Sequence, residues 1–257
     1  DTLALYEASL IGSLRRLWLT DLIGQKPVMR FLAPSPEEAP DSSLSHMFGV
    51  LAAAEGGEGS GKTTQIRRLE EWFHRHNRDV VVTREPGGSP GAEEIRNLLL
   101  TGDPGRWDAV TEALLMFASR RDHVERTIRP ALAGGKVVLS DRFADSSVAY
   151  QGFGHGLGAD YIRNLWHIAI GDFKPDLTLI FDLPVDIGLE RAGARFANVS
   201  AAEDRFERMG TAFHQRLRDG FLEIAREDSK RCKIIDANGD IDQVTERMIA
   251  TVSAHIP

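Results

Sequence analysis

From Val50 onward, short apolar runs alternate with stretches whose apolar residues recur every three or four positions. The short runs predict strands at 50–54, 80–83, 137–140, 177–183 and 233–235. The longer spacing predicts helices at 62–75, 91–100, 109–133, 159–170, 185–195, 202–227 and 241–256. Strands that alternate with helices need right-handed crossovers. The expected architecture is therefore α/β: a five-stranded, mainly parallel sheet covered by helices on both faces, a three-layer αβα sandwich. Ligands of such sheets sit beyond the C-terminal ends of the strands. Leu51-Ala52-Ala53-Ala54 lacks β-branched bulk, so tertiary context has to hold the first strand. No internal repeat is present.

The segment ahead of that pattern is different in kind. Residues 2–23 place Leu3, Leu5, Tyr6, Leu10, Leu14, Leu17 and Trp18 near helical spacing, with Arg15 and Arg16 in the middle. A secretory leader has its basic residues first, so this stretch does not fit one. Residues 33–43, rich in Pro, Ser, Glu and Asp, cannot bury a core and read as linker. Residues 1–47 are thus expected to form an appended helix and tether, and 48–257 a single domain. The first residue is Asp1, so the sequence is expected to begin inside a longer product or after processing.

Composition narrows the function. Of 257 residues, 42% are apolar and 27% charged, as in a folded globular chain. No run approaches the roughly 18 apolar residues of a membrane helix, so no membrane partner is expected. A net charge of −7 and a pI near 5.7 argue against nucleic acid as a partner. Cys232 is the sole cysteine, which excludes an internal disulfide and a cysteine-only zinc site and suits a reducing cytoplasm.

The chemistry begins at Gly56-Gly57-Glu58-Gly59-Ser60-Gly61-Lys62-Thr63, which fits G-x-x-x-x-G-K-[ST] between the first strand and the first long helix. Glycines let successive backbone N–H groups turn inward as an anion nest, and the helix that follows adds its positive end. Lys62 can reach the β- and γ-phosphates of a nucleoside triphosphate, and the Thr63 hydroxyl can join a Mg²⁺ shell. The match predicts the phosphate loop (P-loop) of an NTPase fold, against the alternative of a glycine-rich turn that fits by chance. Glu58 puts a carboxylate inside that loop, suited either to a substrate hydroxyl or to solvent. Arg84-Glu85-Pro86-Gly87-Gly88-Ser89 follows the second strand, where Arg84 is placed to grip a second phosphate; read alone it is an ordinary surface turn. Asp141-Arg142-Phe143 ends the third strand, where Asp141 would hold Mg²⁺ and Arg142 would face an acceptor phosphate; an Asp–Arg ion pair that caps the strand is the alternative. On the helix around 112–123, Phe117 and Arg121 share a face, as do Met116 and Arg120. Either pair could stack a base and hydrogen-bond its carbonyl, or be core plus surface charge.

Glu-Gly-Gly-Glu-Gly-Ser-Gly-Lys-Thr-Thr at 55–64, Arg-Glu-Pro-Gly-Gly-Ser at 84–89, Asp-Arg-Phe at 141–143 and Ser-Ser-Val-Ala-Tyr-Gln-Gly at 146–152 occur in that order. Together they resemble the bacterial thymidylate kinases, from about Phe48 to Ile256. The resemblance implies transfer of the ATP γ-phosphoryl group to dTMP, giving dTDP and ADP in dTTP biosynthesis, with Mg²⁺, in a cytoplasmic homodimer. It implies that Gly56, Gly57, Gly59, Ser60, Gly61, Lys62, Thr63 and Thr64 hold the ATP phosphates, with Asp236 and Ala237 near the adenine. It implies that Glu58 receives the deoxyribose 3′-hydroxyl, that Arg84 and Arg142 hold the dTMP phosphate, and that Phe117 with Arg120 or Arg121 frames the thymine. Ser147, Tyr150 and Gln151 would line the sugar and base, Tyr150 crowding C2′. With no arginine in the phosphate loop, the resemblance is to the branch whose catalytic arginine comes from a lid. Here that lid is expected at about 191–205, with Arg191 and Arg195 as candidates. His155 stands where the family pattern has arginine. Rival readings are a kinase for another nucleotide or nucleoside, and a nucleotide-binding module with little turnover.

Overall fold

The computed structural model describes residues 50–57, 59–101, 105–196 and 209–256, the side chains of 193–196 excepted. The chain divides into two units, Asp1–Pro34 and Ser35–Pro257. The helix and linker expected at 1–47 lie outside the described residues, as do Glu58 and the expected lid beyond 196. The elements run β1 (Val50–Gly56), α1 (Lys62–Arg75), β2 (Val80–Arg84), α2 (Pro90–Leu100), α3 (Ala109–His123), α4 (Arg129–Ala133), β3 (Val137–Asp141), α5 (Ala144–Ser147), α6 (Ala159–Ile170), β4 (Leu177–Asp182), α7 (Val185–Phe196), α8 (Thr211–Glu227), β5 (Cys232–Asp236) and α9 (Ile241–Ser253). None of the helices among the described residues is long and apolar enough to cross a membrane.

The five strands are ordered β2-β3-β1-β4-β5, and every pairing is parallel. The alanine-rich β1 therefore lies in the middle. Its small side chains suit that place, because helices press on both faces. Ala52 and Ala54 pack with Ile66, Leu69 and Phe73 of α1. Leu51 and Ala53 pack on the other face with Phe117, Val138 and Leu217. Bulk absent from β1 is supplied by its neighbours. Burial of those neighbours is worth about 25 cal/mol per Å² of apolar surface.

The structure departs from the expected elements where side chains or missing donors override periodicity. The helix expected over 109–133 is broken into α3 and α4 by a π-helical turn at Val124–Ile128. Pro130 lacks an N–H and its ring crowds the carbonyl four residues back, and a wider turn relieves both. Over 144–158 no element was expected. The chain forms α5 and a second π-helical turn, Val148–Gly154, nearly all of it buried. Of the helix expected at 202–227, α8 starts at Thr211 after Gly210, which holds an extended ψ of 160°.

Buried charge ties this region to the sheet. Asp145 is 2% exposed. It accepts from Arg231 Nη1 at 2.6 Å and Nη2 at 2.9 Å, and from Thr178 Oγ1 at 3.2 Å. Arg231 also reaches Asp228 at 2.8 Å. One guanidinium thus joins α5, β4 and the turn before β5. Arg231→Met leaves Asp145 buried without a counter-charge and is expected to destabilise the fold by about 3–5 kcal/mol. Urea denaturation checks this, and a loss below about 1 kcal/mol, the scale of an exposed pair, contradicts it.

Candidate active site

The sheet register sets the site. Ala54 pairs with Asp141 and Asp141 pairs with Arg84, so three strand ends stand abreast at the C-terminal edge. β1 turns into the phosphate loop at Gly56, where φ is 140° and an added Cβ would lie 2.6 Å from the Phe181 carbonyl oxygen. Glycine is required there. Lys62 Nζ donates to the Gly56 and Gly57 carbonyls at 3.1 and 3.0 Å and to Ser60 Oγ at 3.3 Å. Helix α1 starts at Lys62, and its first turn has no acidic residue and no side-chain cap. Its N–H groups and dipole therefore favour an anion in the loop.

Thr63 donates from Oγ1 to Asp141 Oδ2 at 3.3 Å. The other carboxylate oxygen, Oδ1, is buried without a hydrogen-bond partner. A hydroxyl and a carboxylate with spare acceptor capacity are hard oxygen donors, the set a Mg²⁺ ion takes when substrate phosphates complete its shell. Among the described residues no group of three or more His, Cys, Asp and Glu could hold a metal by itself. The donor set fits a cation that arrives with a nucleotide.

Arg142, next in the chain, has φ 70°. Its Nη1 lies 3.5 Å from the Gly56 carbonyl oxygen, and its guanidinium carbon lies 5.0 Å from the centre of the Tyr150 ring. Arg84 pairs with Glu93 at 3.2 Å, both side chains partly exposed. Glu93 is held below the usual carboxylate range, first by the Gly88 N–H and then by Arg84.

The base-pocket candidates divide. Arg120 is buried beside Phe117, its guanidinium carbon 4.5 Å from the ring centre. Nε donates to Glu85 Oε2 at 2.7 Å and Nη2 to Ser147 Oγ at 3.1 Å, while Nη1 has no partner. Arg121 is not brought to this cluster. It donates to the Ala169 carbonyl at the end of α6 and pairs with Glu125, with half its side chain exposed. The π-helical turn buries Tyr150 and Gln151, and Gln151 donates to Glu112 at 2.8 Å. His155 Nε2 stands 3.6 Å from the same carboxylate.

Asp236 and Ala237 leave β5 on the far side of β4. Asp236 caps the turn through the Asn238 N–H at 2.9 Å. Arg191 donates to the carbonyls of Ala237 and Gly239 at 3.2 and 3.4 Å, which gathers it with the Asp236–Ala237 turn. The Arg195 side chain lies outside the described residues.

Several residues outside the expected set build this site. Glu85 takes Arg120 on one oxygen and His123 Nδ1 on the other at 3.1 Å, and His123 Nε2 meets Thr83 Oγ1 at 2.7 Å. Its signal was a charged residue inside the Arg-Glu-Pro-Gly-Gly run. Asp182 and Arg218 form a two-pronged pair at 2.7 and 2.9 Å and line one pocket with Gly56 and Gly57, a contact no local pattern announces. Glu55 is wholly buried at the end of β1, and its signal was a carboxylate breaking an apolar strand. Burial, then the nearby Asp145 carboxylate, push Glu55 up to about 8, against the opposing pull of the Ser146 hydrogen bond and the Arg142 charge.

That shift has a sign. The folded state keeps the Glu55 proton toward pH 8, whereas the unfolded carboxyl loses it near its ordinary value of 4.5. Between those limits the unfolded state binds fewer protons, so stability falls as pH rises. Urea midpoints measured across this window are expected to fall with pH for the wild type and to lose that component in Glu55→Gln. Parallel curves for the two proteins contradict a buried, proton-retaining carboxyl.

The thymidylate kinase family profile matches residues 54–248. The chain is 56% identical over 197 residues to the thymidylate kinase of Caulobacter vibrioides, covering 77% of this chain and 92% of that protein. To that of Ruegeria pomeroyi it is 50% identical over 208 residues, covering 81% and 96%. The crystal structure of thymidylate kinase from Ehrlichia chaffeensis matches with a TM-score of 0.64 at 35% identity, covering 80% of this chain and 99% of that one. The matched stretch takes in the phosphate loop, Arg84 and the Asp141–Arg142 turn together, and the chain belongs to the thymidylate kinase family.

Proposed function

We propose that the chain, acting as a dTMP kinase, holds ATP and dTMP end to end above the C-terminal edge of β1, β3 and β2. The phosphoryl group passes in line from the ATP γ-position to an oxygen of the dTMP phosphate, giving dTDP and ADP. The observation that carries this reading is the sheet register, which sets Asp141 beside the strand that feeds the phosphate loop and Arg84 beside Asp141. The acceptor is already anionic near neutral pH, so positioning and charge stabilisation do most of the work.

In this reading Lys62 leaves its loop carbonyls for the β- and γ-phosphates, which Gly56, Gly57, Gly59, Ser60, Gly61, Thr63 and Thr64 cradle. Thr63 and Asp141 hold Mg²⁺, which supplies neutralising charge to the phosphate oxygens when bound. Arg84 and Arg142 hold the dTMP phosphate, and Glu58 takes the 3′-hydroxyl. Phe117 and Arg120 frame the thymine, and the unspent Nη1 of Arg120 supports assigning it the base carbonyl. Arg121 has no part in that pocket. Ser147, Tyr150 and Gln151 line the sugar side. Asp236 and Ala237 lie toward the adenine, with Arg191 anchored on the same turn, and Arg195 is the remaining lid candidate. Residues 48–257 form the kinase domain and 1–47 an appendage to it. A reduced, buried Cys232 fits a cytoplasmic setting.

Exposed apolar side chains support a homodimer. Leu98 of α2, Val110 and Leu114 of α3, and Tyr161 and Ile168 of α6 are all exposed, on helices that pack α2 to α3 and α3 to α6. Exposed apolar side chains on helices that pack together suit an interaction surface. Sedimentation is expected to show a dimer that Leu114→Asp combined with Ile168→Asp reduces to monomer; a wild-type monomer contradicts it.

The acceptor is tested by ADP release with dTMP, dUMP, dCMP, dGMP and thymidine, with dTMP expected to be preferred. A non-thymine preference sinks the assignment, and tight ATP binding without transfer favours a binding module. Arg84→Ala removes a charge-assisted contact and is expected to raise the KM for dTMP by about 10- to 100-fold. An effect confined to ATP refutes its role.

A further inference from the structure

Arg142 is one of only two non-glycine residues among those described with positive φ. A left-handed arginine is sterically disfavoured against the right-handed region, so the surroundings must hold it there. Four hydrogen bonds do so, and β1 supplies the acceptor for three. The Arg142 N–H goes to the Ala54 carbonyl at 3.0 Å. The next N–H, of Phe143, goes to Glu55 Oε1 at 2.6 Å, and that of Ser146 goes to the same oxygen at 3.3 Å. On the other side, Ser140 Oγ donates to the Arg142 carbonyl at 2.7 Å. The Ser146 hydroxyl closes on Glu55 Oε2.

Glu55 is the last side chain of β1 before the glycines of the phosphate loop. Its carboxyl thus ties the donor-side strand to the turn that carries the acceptor-side arginine. Asp145, which also faces it, is committed to Arg231 through both oxygens.

We propose that Glu55 is a positioning residue for the acceptor phosphate: by gripping the Phe143 and Ser146 N–H groups it locks Arg142 in its left-handed conformation and fixes the spacing between the phosphate loop and the dTMP-phosphate guanidinium. The inference rests on the assignment of Arg142 to that phosphate. Glu55 touches neither substrate and acts only through Arg142.

The experiment is steady-state kinetics on the full chain with ATP and dTMP for Glu55→Ala, Glu55→Gln, Arg142→Ala and the Glu55→Ala/Arg142→Ala double variant. Glu55→Ala is expected to lower kcat/KM for dTMP about tenfold or more while the KM for ATP moves less than about twofold. Glu55→Gln keeps an acceptor oxygen and is expected to recover most of that loss. The double variant is expected to be no worse than Arg142→Ala alone, because a residue that acts through another loses its effect when the other is gone. Equal losses toward ATP and dTMP, fully additive losses in the double variant, or unchanged kinetics in Glu55→Ala overturn the inference. If Glu55→Ala does not reach the wild-type circular dichroism spectrum, the same cycle with Glu55→Asp decides by the same criteria. A wild-type chain that does not phosphorylate dTMP defeats the kinase assignment instead, which separates the two failures.

Discussion

Parallel pairing of β1, β3 and β2 in one register is the constraint on which the rest hangs. Strands that run the same way end at the same edge, so chemistry attached to each end meets without any loop having to span a distance. Ala54, Asp141 and Arg84 share one row, and the phosphate loop, the Asp141 carboxylate and the Arg84 guanidinium follow from that row. The tight, alanine-lined centre of the sheet serves this arrangement, since it lets α1 sit directly behind the loop it opens.

Around the edge, buried polar groups are held by other buried polar groups. Glu85 orients Arg120, and Asp145 is matched by Arg231. Each such pair costs desolvation and returns geometry. The π-helical turn at Val148–Gly154 belongs to the same economy of space. It buries Tyr150 and Gln151 against α6 and α8, within reach of Arg142 and Glu112.

Much of this was legible in the sequence because the signals were local. The phosphate loop is contiguous, all five strands carry apolar runs, and their alternation with helices leaves little choice of topology. Strand ends also identify Arg84 and Asp141 as edge residues. The rest depends on contacts distant in the chain. Glu55 and Ser146 are 91 residues apart, and periodicity holds no trace of their pairing. Phe117 and Arg121 share a helix face by spacing alone. Yet the π-helical turn and the packing of α6 carry Arg121 out to Ala169, while Glu85 draws Arg120 inward. Residues 144–158 failed to read as helix because wide turns do not follow the 3.6-residue repeat.

Arg120 illustrates what such anchoring means for selectivity. Its side chain is held from several directions while Nη1 stays uncommitted, so it has little rotamer freedom left to surrender to a group that docks beside Phe117. A guanidinium has no lone pair to offer. In the base pocket proposed above, such a group would donate from its Nη1 to a keto oxygen and would set donor against donor with an exocyclic amine, a discrimination made by polarity.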